Sequence, residues 1–193
     1  MNAKLFTINN VQIAILKVDE WKQKIPQKKI KKTGTEKRNI EIEGVRYLLS
    51  QFLPEHKLTY NTNGKPLLNE GGFISISHSK SLIGIAWSFD YNIGLDIEEI
   101  HERIVKVETR FLNDFEIELY QTMNDKIKIW CIKEALIKLY DDKTFNLKNE
   151  LIISKIDENK WAGYSTKNPN QKFEFSTFEF SNNIICFNTN GGK

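Results

Sequence analysis

The spacing of apolar residues divides the chain into strands and helices. Continuous or alternating apolar runs predict early strands, at residues 11–18, 73–79 and 82–89, and a further strand that starts at 94. Apolar residues three and four apart predict helices at 35–53, 114–121 and 124–140. A helical segment is also predicted over 19–32, with Asp19 as a possible cap and Pro26 as an interruption. Four last strands follow, at 151–156, 161–166, 173–180 and 183–188.

The order of these elements predicts an α+β protein. Strand, helices and strands come first, and the same order is then repeated. The short turns between the last four strands favour an antiparallel meander. We therefore expect two similar halves, residues 1–93 and 94–193, each a small antiparallel sheet with packed helices, although no sequence repeat is visible.

Composition narrows the class of protein. A chain of 193 residues with 40% hydrophobic and 27% charged residues can bury a real core and is not disordered. Cys131 and Cys186 lie far apart and lack metal-ligand spacing, which predicts a reduced, cytoplasmic protein. We expect neither a signal peptide nor a membrane span. Lysines crowd residues 22–38, which predicts either a polyanion-binding cluster or a solvated helix face.

Two carboxylates stand two residues apart in the predicted strand at 94–98. Asp96 and Glu98 then point to one side, while Leu95 and Ile97 point to the core. Converging carboxylates repel each other unless a cation lies between them, and an oxygen-only pair suits Mg²⁺. The alternative, favoured when this stretch is considered alone, is a strand that runs into a solvated acidic turn.

Charged residues also share one face of the predicted helix at 124–140. Trp130, Glu134 and Lys138 follow one another at i, i+4 and i+8. In the absence of a site, Glu134 and Lys138 would be an ordinary helix salt pair that contributes only about 0.2–0.5 kcal/mol. Trp130 is expected to pack.

Four local motifs, in this order and at these separations, closely resemble the 4′-phosphopantetheinyl transferases, and specifically the long, two-half type associated with surfactin synthetase activation. They are Gly64-Lys65-Pro66, Ser75-Ile76-Ser77-His78-Ser79, Gly94-Leu95-Asp96-Ile97-Glu98 and Trp130-x-x-Lys133-Glu134-Ala135-x-x-Lys138. The resemblance implies transfer of the 4′-phosphopantetheine arm of coenzyme A to a serine of an apo acyl or peptidyl carrier protein. It also implies Mg²⁺ and the release of adenosine 3′,5′-bisphosphate.

The resemblance further implies roles for individual residues. Asp96, Glu98 and Glu134 would hold the metal ion, and Glu134, directly or through a metal-bound water, would be the general base. Lys138 would stabilise phosphate charge. The implied coenzyme A contacts are His78 with Ser77 at the 3′-phosphate, the basic residues Lys28, Lys31, Arg38 and Arg46, then Lys65, Pro66 and Lys133. Lys133 points elsewhere on the helical wheel.

One departure from the family concerns the segment after the last motif. The family usually has a glycine-containing turn, whereas this chain has residues 140–145 without glycine, so the loop and the carrier preference are expected to differ. The chain is too long for the single-half, trimeric type, which predicts a monomer with one site between its halves.

Two other functions compete with the enzyme. A non-catalytic module could hold coenzyme A or a carrier protein with the same fold, but such a protein gains little from a repelling carboxylate cluster. A basic nucleic-acid binder depends on the lysines alone and lacks a recognition motif. We therefore expect no nucleic-acid partner.

Overall fold

The structure, a computed structural model, describes residues 3–24 and 36–192. Its first sheet is antiparallel and contains β1 (Lys4–Ile8), β2 (Val11–Lys17), β5 (Phe73–His78) and β6 (Leu82–Ser88). These strands lie in the order β1-β2-β6-β5. Between β2 and β5 in the chain comes a separate short hairpin of β3 (Leu58–Tyr60) and β4 (Pro66–Leu68).

The second sheet confirms the predicted meander. It contains β7 (Leu95–Glu99), β8 (Leu151–Lys155), β9 (Lys160–Ser165), β10 (Asn168–Phe180) and β11 (Asn183–Asn188). The strands pair antiparallel in the order β7-β11-β10-β9-β8. β7 therefore lies at one edge of this sheet, although it comes first in the chain.

The helices cover the outer faces of the two sheets. α1 (Val18–Lys22) and α2 (Glu36–Phe52) pack on the first sheet. α5 (Met123–Tyr140) packs on the second sheet, next to α3 (Arg103–Val107), a 3₁₀ turn at Glu108–Arg110 and α4 (Asp114–Leu119). No helix in the described part of the chain is long and apolar enough to cross a membrane.

The inner faces of the two sheets pack against each other. Ile13 and Ile15 of the first sheet share one buried cluster with Leu95 and Ile97 of the second. Because side chains alternate along a strand, the opposite faces of both sheets are left to pack against the helices. The result is four layers, α2, first sheet, second sheet and α5, which confirms the α+β class with antiparallel sheets and packed helices.

Several sequence predictions need correction. α1 has only five residues and begins at Val18 with Lys17 at the N-cap position, so Asp19 lies inside its first turn and is not the cap. The rest of the predicted 19–32 segment, with Pro26, lies largely outside the described residues. The spacing of apolar residues does not predict the strand β1, because its residues are mostly exposed and show no regular alternation of apolar and polar positions. The predicted half-buried strand at 73–79 is covered on both faces, since Ser75 and Ser77 are buried as well.

Candidate active site

The strand β7 turns two carboxylates toward α5. Asp96 and Glu98 lie opposite Cys186 and Ile184 of β11, on the face that packs against this helix. The close approach of strand and helix requires Gly94, because a Cβ there would lie 2.3 Å from the carbonyl oxygen of Ala135. We call Asp96, Glu98 and Glu134 the acidic centre.

Side chains of α5 reach the acidic centre at two points. Lys138 Nζ donates to Asp96 Oδ1 at 2.9 Å and to the carbonyl oxygen of Leu95 at 2.7 Å. Trp130 Nε1 donates to Glu98 Oε1 at 2.8 Å. Trp130 also packs edge-to-face on Phe111, with ring centroids 5.1 Å apart. Trp130 therefore packs, as expected, but it also orients one carboxylate of the acidic centre.

Serines of β5 connect the first sheet to β7. The Ser77 hydroxyl donates to Asp96 Oδ1 at 2.9 Å and accepts from the Ile97 amide at 3.2 Å. The Ser75 hydroxyl accepts from the Leu95 amide at 2.9 Å. Two strands from different sheets are thus joined through side chains, and residues of both halves converge on Asp96.

The second oxygen of Asp96 has no such partner. Oδ2 is buried and accepts no hydrogen bond from an N–H or O–H group of the residues that the structure describes. The neighbouring thiol of Cys131 donates to the carbonyl oxygen of Ile184 at 3.7 Å, and burial, followed by the charge of Asp96, raises the pKa of this thiol, to which a hydrogen bond with Asp96 also contributes. An unpaired buried carboxylate oxygen is costly, so this atom is suited to receive a ligand from outside the chain.

The carboxylates of the acidic centre perturb each other. Burial, followed by the charge of Asp96 and then that of Glu134, raises the pKa of Glu98 to about 7, although the Trp130 hydrogen bond and Lys138 act in the opposite direction. Burial and the charge of Asp96 also raise the pKa of Glu134, and Lys138 again opposes the change. The cations of the protein therefore compensate this negative charge only in part.

This donor set fits a divalent cation. Three carboxylates, one of them with an unpartnered buried oxygen, offer the oxygen ligands that Mg²⁺ prefers. Across residues 3–24 and 36–192, no group of three or more His, Cys, Asp or Glu side chains is placed so that it could hold a metal ion, the acidic centre included. Since Mg²⁺ binds through one or two carboxylates and completes its shell with water and substrate phosphates, a closed protein cage is not required.

A cavity of about 800 Å³ lies between α2, the β3–β4 hairpin, β5 and the end of α5, and none of the three acidic-centre residues is among those that line it. Lys138 lines the cavity and also binds Asp96, so it connects the two. Six Lys or Arg side chains and two carboxylates lie in the cavity wall, which is therefore basic. The charged and titratable wall residues are Arg38, Arg46, Lys57, Lys65, Lys138, Lys143, His56, His78, Glu41 and Asp141.

At the α2 side of the cavity, Glu41 binds His78, one of the predicted coenzyme A contacts. Glu41 itself lies outside the four sequence motifs. Glu41 Oε2 lies 3.3 Å from His78 Nε2 and 3.4 Å from Arg38, and Glu41 is 6% exposed. Burial is the main reason that the pKa of His78 is lowered, and Glu41 partly opposes this. Arg46 pairs with Glu43 and also lines the wall. His78, Arg38 and Arg46 thus line one cavity.

At the opposite side of the cavity, Lys65 and Pro66 belong to the hairpin. Lys65 Nζ donates to the carbonyl oxygen of Leu139 at 3.3 Å, and burial lowers its pKa while Asp141 opposes the change. Asp141 caps the C-terminal end of α5 and has left-handed backbone angles with φ 55°. An aspartate therefore takes the conformation that a glycine would supply at this turn.

Two of the predicted coenzyme A contacts, Lys133 and Ser77, do not line the cavity. Lys133 is fully buried and donates to the Phe111 carbonyl and to Glu116 Oε2, each at 2.7 Å. It therefore has no surface to offer to coenzyme A, which corrects that assignment. Ser77 binds Asp96 and is not among the residues that line the cavity. Lys28 and Lys31 lie outside the described residues.

Comparison with known proteins supports one superfamily. The sequence model of the 4′-phosphopantetheinyl transferase superfamily matches residues 92–186, which include β7, α5 and the whole acidic centre. No curated protein matches the chain. The match supports a transferase of the phosphopantetheinyl type and phosphopantetheinyl transfer in general.

Proposed function

We propose that this protein is a two-half 4′-phosphopantetheinyl transferase that depends on Mg²⁺. It transfers the 4′-phosphopantetheine arm of coenzyme A to a serine hydroxyl of an apo acyl or peptidyl carrier protein and releases adenosine 3′,5′-bisphosphate. One observation carries this proposal: Asp96, with its buried unpartnered oxygen, is joined through Lys138 to a basic cavity.

The basic cavity binds the nucleotide part of coenzyme A in this proposal. His78, Arg38 and Arg46 contact the 3′-phosphate, with Glu41 holding His78 in place. Lys65, which donates to the carbonyl oxygen of Leu139 beside Lys138, contacts the diphosphate. Lys138 stabilises the negative charge that develops on the leaving phosphate, because its ammonium group stands between the cavity and Asp96.

The acidic centre carries the chemistry. The serine oxygen attacks the phosphorus that carries the pantetheine arm, and the bond from this phosphorus to the bridging oxygen of the diphosphate breaks. Mg²⁺, when bound, neutralises charge on both phosphates. Glu134 takes the serine proton, and its raised pKa makes it a better base near neutral pH. Trp130 and Ser77 keep Glu98 and Asp96 in position.

The same contacts support a monomer. Ser77 comes from the first sheet and Lys138 from α5, and both bind Asp96, so a single chain brings together the residues that hold this carboxylate. We propose a cytoplasmic location, since Cys131 and Cys186 are free thiols, which reducing compartments maintain. A basic cavity rim favours encounter with the acidic surface expected of a carrier protein.

The test is a transfer assay that follows the mass of the carrier protein. The purified protein is incubated with coenzyme A, Mg²⁺ and a panel of apo acyl and peptidyl carrier proteins. A gain of one phosphopantetheine arm on a carrier serine is expected, and it should disappear when Mg²⁺ is chelated.

Matched variants separate the enzyme from the alternative module. Glu134→Gln should reduce the rate by about 10²–10⁴, the range for loss of a general base. Glu158→Gln, the same change in an exposed bend, should leave the rate unchanged. Binding of coenzyme A without a mass gain on any carrier would instead favour the non-catalytic module.

A further inference from the structure

The turn of the β3–β4 hairpin is fastened to the end of α5 by side-chain hydrogen bonds. Asn61 Nδ2 donates to Asp141 Oδ2 at 2.7 Å, and Asn63 Nδ2 donates to Asp141 Oδ2 and to its carbonyl oxygen, each at 3.2 Å. We call Asn61, Asn63 and Asp141 the hairpin latch. Lys143 adds a bond of 2.9 Å to the carbonyl oxygen of Asn63.

Asp141 is an unusual residue for a helix end with left-handed backbone angles, where glycine is most common. Its angles of φ 55° and ψ 32° are left-handed, and its N–H donates to the Ile137 carbonyl to end α5. Glycine adopts these angles without penalty, and aspartate does so less readily. A glycine at 141 would end the helix equally well and would keep its carbonyl oxygen for Asn63, but it would lose both bonds to Oδ2, from Asn61 and from Asn63. The aspartate therefore contributes the latch in addition to the turn.

The hairpin depends on such a contact because neither large sheet pairs with its strands. β3 and β4 have three residues each and pair with each other alone among the strands of the described chain. An isolated two-stranded hairpin is marginal in water. Leu58 and Leu68, at the base of the hairpin, pack on the cluster around α2. The latch fixes the other end, the turn.

Both sides of the latch are walls of the basic cavity. Asn63 and Lys65 line it from the hairpin, and Lys138 and Asp141 line it from α5. Lys138 lies one helical turn before Asp141 and binds Asp96. The latch thus connects the hairpin wall to the helix that carries Lys138.

We propose that the hairpin latch fixes the width of the cavity and thereby sets the affinity for the nucleotide part of coenzyme A, with Asp141 as a positioning residue. This inference rests on the proposed function. A ligand that binds the latched protein meets a wall that is already ordered. Without the latch, binding must also order the turn, and that cost weakens affinity.

The test compares Asp141→Gly with Asp141→Asn. Direct titration with coenzyme A, without Mg²⁺ or carrier, should show Kd about tenfold higher in Asp141→Gly, which corresponds to about 1.4 kcal/mol. In the transfer assay, KM for coenzyme A should rise while kcat changes less. Asp141→Asn tolerates left-handed angles and keeps an acceptor oxygen, so its Kd should stay within about threefold of wild type.

Two further variants keep the result interpretable. Asn9→Gly is the matched control, because Asn9 also has left-handed backbone angles but lies in the exposed β1–β2 turn and does not line the cavity. Its Kd for coenzyme A should equal that of wild type. Asn63→Ala removes two latch bonds without altering α5 and should raise Kd as Asp141→Gly does. It replaces Asp141→Gly in the comparison if that variant does not fold.

Each outcome decides the matter. Wild-type Kd in both Asp141→Gly and Asn63→Ala would overturn the latch and leave the proposed function standing. A fall in kcat at unchanged Kd and KM would also overturn it, because a cavity wall acts on binding. A wild-type protein that binds no coenzyme A at all would overturn both the latch and the proposed function.

Discussion

Replacing Glu98 by glutamine should stabilise the metal-free protein. The folded protein buries Glu98 near other carboxylates, and ionising it there costs free energy. Its pKa is raised from 4.5 to about 7 by burial and then by Asp96. At about 1.36 kcal/mol for each pH unit, ionising Glu98 in the folded state costs about 3 kcal/mol. Solvent reaches part of this side chain and reduces the cost, so we expect a gain of about 1–3 kcal/mol at pH 8.

The sign of the effect depends on pH. A raised carboxyl pKa means that the folded protein holds this proton more tightly than the unfolded chain. The stability that protonated Glu98 contributes is complete below pH 4.5 and is lost as the pH rises through about 7. The advantage of Glu98→Gln should therefore be largest above pH 7 and should vanish near pH 4.5. The glutamine keeps an acceptor for Trp130.

The assay is thermal unfolding with a chelator present, at pH 8 and at pH 5. For a chain of this length, about 2–4 °C is expected for each kcal/mol, so Glu98→Gln should melt about 2–12 °C above wild type at pH 8. Glu99→Gln, the same change at the next position on the opposite side of β7, is the control and should not share the gain. A variant that melts below wild type at pH 8 would refute the reasoning.

Three further changes test other parts of the account. Gly94→Ala should lower stability by about 1–3 kcal/mol or more, because its Cβ would meet the Ala135 carbonyl at 2.3 Å; an unchanged denaturant midpoint would contradict this. Asp96→Asn should abolish transfer while coenzyme A still binds, and a mass assay that finds full transfer would remove Asp96 from the proposed metal ligands. His78→Ala should weaken the binding of coenzyme A more than that of 3′-dephospho-coenzyme A, and equal losses by calorimetry would separate His78 from the 3′-phosphate.

Local patterns in the sequence predict much of the fold. Side chains two residues apart in a strand share a side, so the sequence alone assigns Asp96 and Glu98 to one face. The three- and four-residue spacing predicted α2 and α5 to within a residue or two, at Glu36–Phe52 and Met123–Tyr140. These regularities depend on the backbone alone, which is why a single sequence reveals them.

The contacts that complete the site could not be predicted in this way. Ser77 meets Asp96 and Trp130 meets Glu98 through pairs that lie 19 and 32 residues apart in the chain. Such pairs depend on how sheets and helices pack, and no local spacing encodes them.

The burial of Lys133 follows from the pattern of α5. Lys133 lies four residues after Ile129 and three before Leu136, on the apolar face of α5, which predicts burial with a partner rather than a ligand contact. The structure provides that partner in Glu116.

The most direct measurement is a crystal structure of the protein with coenzyme A and Mn²⁺, whose anomalous scattering locates the metal ion. We expect one anomalous peak within coordination distance of carboxylate oxygens of Asp96, Glu98 and Glu134, with the diphosphate on its open side. A peak bound elsewhere, or Glu134 turned away from a metal ion held by other residues, would contradict the proposed metal site.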